Sequence, residues 1–157
     1  MSRIIFKSSN NEFFVEINDT IFINIENECL KAKNNETGGI LIGNYSKNRN
    51  AFINNVTGPP KDSKHSRRTF KRGISGVIDL LNNKWDLGQY YVGEWHFHSN
   101  SSSKPSFIDD KQMKKLARDK LLNCPEPILL VIGGNKDKWE FSVHVYTKDR
   151  KVDLFKE

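Results

Sequence analysis

Two kinds of hydrophobic spacing alternate along the chain, and each predicts a different secondary structure. Short apolar stretches at Ile4–Phe6 and Phe13–Ile17 predict two strands. Between positions 20 and 33, one set of apolar residues recurs every four residues, as on one face of a helix. That set is Ile21, Ile25 and Cys29. We predict a helix here, with a strand as the alternative because isoleucines also alternate at positions 21, 23 and 25.

Turn residues frame the next pair of predicted strands. Gly38-Gly39 and Gly43 enclose Ile40–Ile42, which predicts a buried strand, and Ala51–Val56 suits its hairpin partner. Farther along, apolar residues recur at three- and four-residue intervals and predict a helix packed on the sheet. These residues are Ile74, Val77, Ile78, Leu81 and Trp85.

The second half of the chain continues the alternation of strands and helices. The predicted strands are Tyr90–His98, Pro127–Ile132 and Trp139–Tyr146, and the predicted helix is Phe107–Leu122. Met113 and Leu116 lie on the apolar side of this helix, together with Leu121 or Leu122. Gly133-Gly134 is expected to end the second of these strands, and the alternating third strand is expected near a sheet edge. The pattern predicts an α/β (α+β) fold with a mixed β-sheet flanked by two to three helices.

Length and composition narrow the class of protein. The chain has 157 residues, of which 36% are hydrophobic, and this suits one domain. No apolar run approaches the roughly 20 residues that cross a bilayer, and the first residues lack the apolar stretch of a secretory signal. We therefore expect a cytoplasmic protein with no membrane partner. Cys29 and Cys124 lie far apart without CxxC spacing, which predicts buried thiols rather than a disulfide or a thiolate zinc site.

The positive charge is concentrated in two places. The chain has 25 Lys plus Arg against 19 Asp plus Glu, a formal net charge of +6. One cluster, the basic segment (residues 61–72), contains Lys61, Lys64, Arg67, Arg68, Lys71 and Arg72. The other contains Lys111, Lys114, Lys115, Arg118 and Lys120. Solvated faces explain both better than a nucleic-acid surface, because Phe70 is the one interleaved aromatic and no nucleic-acid motif is present. A nucleic-acid-binding module or nuclease is kept as an alternative.

A His-x-His pair marks the candidate chemistry. His96 and His98 are two apart in a predicted strand, so both imidazoles face the same side and can bind one ion. By itself the pair is more typical of surface or core histidines than of a metal site. Ser106 and Asp109 follow, at the spacing of a helix capping box, and this rigid mount can also present Asp109 as an oxygen ligand. Two imidazoles and one carboxylate leave a fourth position open, which is typical of a catalytic zinc site.

Catalysis at such a site needs a carboxylate base from elsewhere in the fold. Glu36 stands immediately before the glycine-bounded strand, and Glu94 stands two residues before His96. Spacing alone does not choose between them.

These residues together resemble the JAMM metallopeptidases of the JAB/MPN fold. The family signature is a glutamate before a Gly-Gly-containing strand, followed later by His-x-His, seven residues, Ser, two residues and Asp. The resemblance implies that His96, His98 and Asp109 bind one Zn2+ per chain, that Glu36 is the general acid/base, and that Ser106 hydrogen-bonds the oxyanion. It implies a single cytidine-deaminase-like JAB/MPN domain over residues 1–146, leaving 147–157 as a short polar C-terminal tail.

A narrower resemblance concerns bacterial JAB proteins of CBASS-type antiphage operons. It is carried by Asn55–Pro60, Asp62, Phe70–Arg72 and Tyr91–His96. It implies an isopeptidase that releases the C-terminus of a ubiquitin-like protein or a conjugated nucleotidyltransferase (CD-NTase), alongside ubiquitin-activating-like and ubiquitin-conjugating-like enzymes. The basic segment would then contact an acidic partner surface. Trimming of a sulfur-carrier protein and a non-catalytic MPN scaffold are the alternatives.

The mode of substrate entry is also predicted from general physics. An extended peptide tail commonly joins an open sheet as an added strand. The expected templates are the strand that ends at His96–His98 and the edge at Ile40–Asn44.

Overall fold

A large mixed sheet dominates the computed structural model, which describes residues 2–46 and 50–157. The helices are α1 (Asp19–Ala32), α2 (Val77–Trp85) and α3 (Phe107–Arg118). The strands are β1 (Arg3–Ser8), β2 (Phe14–Asn18), β3 (Thr37–Tyr45), β4 (Asn50–Val56), β5 (Lys64–His65), β6 (Phe70–Lys71), β7 (Tyr90–Ser99), β8 (Ile128–Asn135), β9 (Lys138–Tyr146) and β10 (Lys151–Lys156). Within these residues, no helix combines the length and the apolar character that a bilayer span requires.

Eight of the strands close into a barrel in the order β1-β10-β9-β8-β7-β3-β4-β2. The pairs β7–β8 and β2–β4 are parallel, and the other pairs are antiparallel. The remaining two, β5 and β6, form a separate two-stranded hairpin. The predicted mixed sheet with two to three helices is confirmed.

The central strands are covered on both faces. Trp95 and Phe97 of β7 point into the main core, where α1 contributes Ile21 and Ile25. Along β8, Leu129 and Val131 point the opposite way and pack with Met113 of α3. Because strand side chains alternate, residues 94, 96 and 98 of β7 lie on the α3 side of the sheet rather than in the main core.

Helix α1 confirms the helical interpretation of residues 20–33. The side chain of Asn18 accepts a hydrogen bond from the backbone N–H of Thr20, and thereby caps the helix. The predicted helical face at Ile21, Ile25 and Cys29 is buried.

Helix α2 departs from its prediction, because only part of its apolar stripe packs on the sheet. Val77, Leu80 and Leu81 contact the cluster that includes Ile40, Ile42, Tyr91 and Cys124. Ile78 and Trp85 remain 73% and 66% exposed. The helix is short and contacts the sheet along one narrow side, so the flank at positions 78 and 85 faces solvent.

Two element boundaries also differ from the predictions. Helix α3 ends at Arg118 instead of residue 122, and Leu121 is 99% exposed. Strand β8 continues through Gly133-Gly134 to Asn135. These glycines permit close approach of another chain segment: a Cβ on Gly133 would lie 2.4 Å from the carbonyl oxygen of Ser101.

The prediction that residues 147–157 form a polar tail is wrong for Lys151–Lys156. This segment is β10, which pairs with β9 on one side and β1 on the other. Leu154 is buried and Val152 packs against the same core, so two alternating apolar residues suffice to seat the strand. Because β10 covers β9, the predicted sheet edge at Trp139–Tyr146 is also wrong.

The predicted templates for strand addition are covered as well. Strand β7 pairs with β3 and β8, and residues 41–45 of β3 pair with β4. Neither His96–His98 nor the greater part of Ile40–Asn44 presents an open edge to a peptide.

Candidate metal centre

The two predicted histidines lie side by side on the α3 face of β7. His96 and His98 are both buried, while their neighbours Trp95 and Phe97 point into the main core. The two-residue spacing therefore places both imidazoles on one face, as predicted.

Asp109 joins the two imidazoles from the first turn of α3. Its Oδ1 lies 2.8 Å from Nδ1 of His96, and its Oδ2 lies 3.0 Å from Nε2 of His98. Asp109 is itself buried. Three side chains from two elements thus converge within hydrogen-bond distance.

A capping box holds Asp109 in this position. The Oγ of Ser106 accepts a hydrogen bond of 3.0 Å from the backbone N–H of Asp109, and the backbone N–H of Ser106 donates to Oδ2 of Asp109 over 2.9 Å. Asp109 therefore both caps α3 and contacts the two histidines, so the two predicted roles of this carboxylate are compatible.

Charge at the cluster favours an ionised carboxylate. Burial acts to raise the pKa of Asp109, but hydrogen bonds from His96 and His98 outweigh it and hold the pKa well below its usual range. Burial acts to lower the pKa of His98, but the hydrogen bond and the charge of Asp109 raise it overall. The carboxylate and the imidazoles thus stabilise each other.

Glu36 lies at the edge of this cluster, immediately before β3. Burial raises the pKa of its carboxyl group, and the charges of His98, Asp109 and His96 also act on it. Its backbone is fixed by the basic segment: the N–H of Glu36 donates to Ser66 O over 2.8 Å, and Nδ1 of His65 lies 3.0 Å from its carbonyl oxygen. Among the residues that the structure describes, no hydrogen bond engages the Glu36 carboxylate.

Glu94, the other candidate base, is fully engaged. Arg72 Nε donates to its Oε1 and the Tyr91 hydroxyl donates to its Oε2, each over 2.5 Å. The sequence alone does not predict that Arg72 and Tyr91 donate hydrogen bonds to Glu94. A buried glutamate on the same face of the strand as His96 requires a counter-charge, but spacing alone does not say which residue supplies it.

The donor set suits a catalytic divalent cation in its chemistry. Two imidazole nitrogens and one charged carboxylate are the kind of three-residue set that zinc enzymes use. Within residues 2–46 and 50–157, no group of three His, Cys, Asp or Glu side chains has the spacing of a metal site. In the described structure Asp109 is instead hydrogen-bonded to both histidines. Binding of a cation would replace those hydrogen bonds with coordination bonds.

Residues 21–145 match the family described as prokaryotic homologs of the JAB domain. The chain belongs to this family. Its resemblance to the JAMM metallopeptidases is thereby confirmed at the level of the domain. The matched residues run from the first turn of α1 to the penultimate residue of β9, so all five candidate site residues fall inside them.

Individual relatives add the class of activity. The chain is 41% identical over 133 residues to a CD-NTase/cGAS isopeptidase of Enterobacter hormaechei, covering 84% of this chain and 74% of the relative. It is 23% identical over 124 residues to a probable metalloprotease of Sinorhizobium fredii, covering 76% of each. These relatives support a hydrolase of the isopeptidase and metalloprotease type.

A solved structure supports the fold. The solution structure of a protein from Desulfitobacterium hafniense superimposes with a TM-score of 0.65, at 19% identity, over 90% of this chain and 88% of the other. At that identity the likeness concerns the fold alone.

Proposed function

We propose that this JAB-domain protein is a zinc-dependent isopeptidase that hydrolyses the bond at the C-terminus of a conjugated protein. The observation that carries the proposal is the buried convergence of His96, His98 and Asp109, with Glu36 beside them. That arrangement joins a three-residue ligand set to a half-buried carboxylate, and the isopeptidase and metalloprotease relatives support the same chemistry.

In this proposal His96, His98 and Asp109 hold the zinc ion. When bound, zinc supplies a Lewis acid and lowers the pKa of a coordinated water toward about 7. The depressed pKa of Asp109 keeps its carboxylate charged for this role, and the capping box fixes its position.

Glu36 is proposed to move the proton. Its carboxylate accepts a proton from the attacking water and then donates it to the nitrogen of the leaving lysine, so that one group serves as base and acid. Burial raises the pKa of Glu36, which brings it closer to neutral pH and favours the second step. Ser106 Oγ accepts from the backbone N–H of Asp109, and its hydroxyl hydrogen donates to the oxyanion of the tetrahedral intermediate.

A thiol nucleophile fits the described residues poorly. Cys29 and Cys124 are both buried. Burial raises the pKa of Cys124 to about 11, and the pKa of Cys29 is raised further. Neither thiol is poised to ionise at neutral pH, which favours direct attack by water over a covalent acyl-enzyme.

The proposed substrate is a conjugate in which the C-terminus of a CD-NTase or a ubiquitin-like protein is joined to a target lysine. Its support is the isopeptidase relative at 41% identity, whose name specifies CD-NTase. We further propose action in the cytoplasm in bacterial antiphage defence, together with ubiquitin-activating-like and ubiquitin-conjugating-like enzymes.

The test combines metal analysis with cleavage of a CD-NTase conjugate. Wild-type protein should hold about one zinc per chain, and Glu36→Gln should retain zinc while losing roughly 10²- to 10⁴-fold in kcat. Glu26→Gln is the matched control, since burial also raises the pKa of Glu26 but it lies on α1 away from the histidines. Wild-type cleavage by Glu36→Gln would refute the assigned base, and a preparation that refuses zinc would refute the metal centre.

A further inference from the structure

The basic segment (residues 61–72) lies directly beside the candidate metal centre. Its hairpin, β5–β6, contacts the backbone of Glu36 through Ser66 and His65. The ring of Phe70 packs edge-on against His96, with ring centroids 5.9 Å apart. Whatever binds this segment is therefore brought next to the reacting groups.

Two sets of contacts order the segment. Arg72 binds the buried carboxylate of Glu94 on β7 and so fixes the end of the segment to the sheet. The Asp62 carboxylate accepts hydrogen bonds from the backbone N–H groups of Ile74 and Ser75, over 3.0 and 2.9 Å, and so closes the base of the loop. Together these contacts preorganise the surface of the segment.

The outward face of the segment is strongly cationic. Its exposed basic side chains are Lys61, Lys64, Arg67, Arg68 and Lys71. Within the described residues none of these five forms an ion pair, in contrast to Arg72. Asp62 is the one acidic residue between positions 61 and 72, and its carboxylate is used by the backbone.

We propose that the basic segment is a docking surface for an acidic face on the folded body of the protein substrate. This inference rests on the proposed isopeptidase function and adds that the protein substrate carries a negatively charged surface. Docking at this surface places the attached C-terminal tail beside Glu36 and His96. Complementary charge accelerates encounter and selects partners, so its effect belongs in substrate capture rather than in the chemical step.

The same surface suits an acidic protein better than a nucleic acid. Single strands are held by aromatic side chains on which bases stack. The segment contains one residue of the Phe, Tyr or Trp type, Phe70, and it is buried between His65 and His96. Charge without a stacking platform favours carboxylate-rich protein surfaces.

The test compares two variants of equal charge. Arg67→Glu with Arg68→Glu reverses the docking surface, and Lys115→Glu with Lys120→Glu reverses two exposed lysines six and eleven residues beyond Asp109. Both double variants lower the formal net charge of +6 by four. Any difference between them reports the location of the charge.

Binding is measured in the Glu36→Gln background with fluorescein-labelled poly-L-glutamate, by anisotropy at low and at physiological salt. The docking-surface variant should weaken binding by about tenfold or more, and the Lys115→Glu, Lys120→Glu variant should stay within about twofold of the parent. Equal weakening by both variants would overturn the proposal, as would tighter binding of a labelled 20-nucleotide RNA than of poly-L-glutamate.

Cleavage is measured separately, in the otherwise wild-type chain, on a conjugated CD-NTase and on a short isopeptide with the same tail. The docking-surface variant should lose about tenfold in kcat/KM on the conjugate through KM, with the short isopeptide cleaved at the parental rate. Equal losses on both substrates would refute a docking role. If the parent cleaves neither substrate, the isopeptidase proposal fails, while the binding result still decides the charge of the partner.

Discussion

Replacing Arg72 with methionine should destabilise the protein strongly, because the change leaves the charge of Glu94 buried without a partner. The side chains of Arg72 and Glu94 are 18% and 4% exposed. Removal of one member of a buried ion pair typically costs about 3–5 kcal/mol. The Tyr91 hydroxyl still donates to Glu94, so the expected loss lies toward the lower end of that range.

The same physics predicts a rescue. With Arg72 absent, Glu94→Gln removes the uncompensated charge and still accepts the hydrogen bond from Tyr91. The double variant Arg72→Met, Glu94→Gln should therefore be more stable than Arg72→Met alone, whereas Glu94→Gln in the wild-type chain should destabilise it.

Urea unfolding in the presence of a chelator measures these free energies without a contribution from metal binding. For a chain of 157 residues, a loss of 3–5 kcal/mol corresponds to roughly 6–20 °C in Tm. The control is Arg150→Met, which breaks an ion pair with Glu12 whose side chains are 51% and 29% exposed, and should cost about 1 kcal/mol or less. The reasoning is refuted if Arg72→Met costs no more than Arg150→Met, or if Glu94→Gln fails to rescue it.

Three further predictions concern the cap, a buried histidine and a glycine. Ser106→Ala should lose about 1 kcal/mol of unfolding free energy in urea, because it removes the cap of α3. Burial lowers the pKa of His144 despite its hydrogen bond to Asp153. In the unfolded chain the histidine has its ordinary pKa of about 6.5, so below that pH the unfolded chain binds more protons and the free energy of unfolding falls. His144→Gln should therefore reduce the pH dependence of the free energy of unfolding, measured in urea from pH 7 to 5. Gly39→Ala should lower Tm, since its Cβ would lie 2.1 Å from the carbonyl oxygen of Thr57 and overpacking costs about 1–3 kcal/mol. An unchanged midpoint, pH slope or Tm, respectively, would contradict each prediction.

The convergence of the candidate ligands was predictable because it depends on local geometry. His96 and His98 share a face through the two-residue period of a strand, and Ser106 fixes Asp109 through a helix cap of four residues. Each of these features is encoded in a short window of sequence.

The errors arise where distant parts of the chain meet. Strand β10 is short, only half of its six residues are apolar, and it is seated by pairing with β1, about 150 residues earlier, so its local pattern is too weak to predict it. The exposed flank of α2 likewise depends on how much sheet lies beneath the helix. Engagement of Glu94 depends on Arg72, which reaches it from a separate loop.

Closure of the barrel bears on how this fold can select a partner. In the part of the chain that the structure describes, each barrel strand is flanked by two others, so backbone pairing with an added strand contributes little to selecting a partner. In the proposed function, discrimination between partners would fall to exposed loop side chains such as those of residues 61–72, separate from the candidate ligands on β7 and α3. The exposed positions of that loop, such as Arg67 and Arg68, can thus vary with the partner, whereas Ser66, Phe70 and Arg72 are held by their contacts with Glu36, His96 and Glu94.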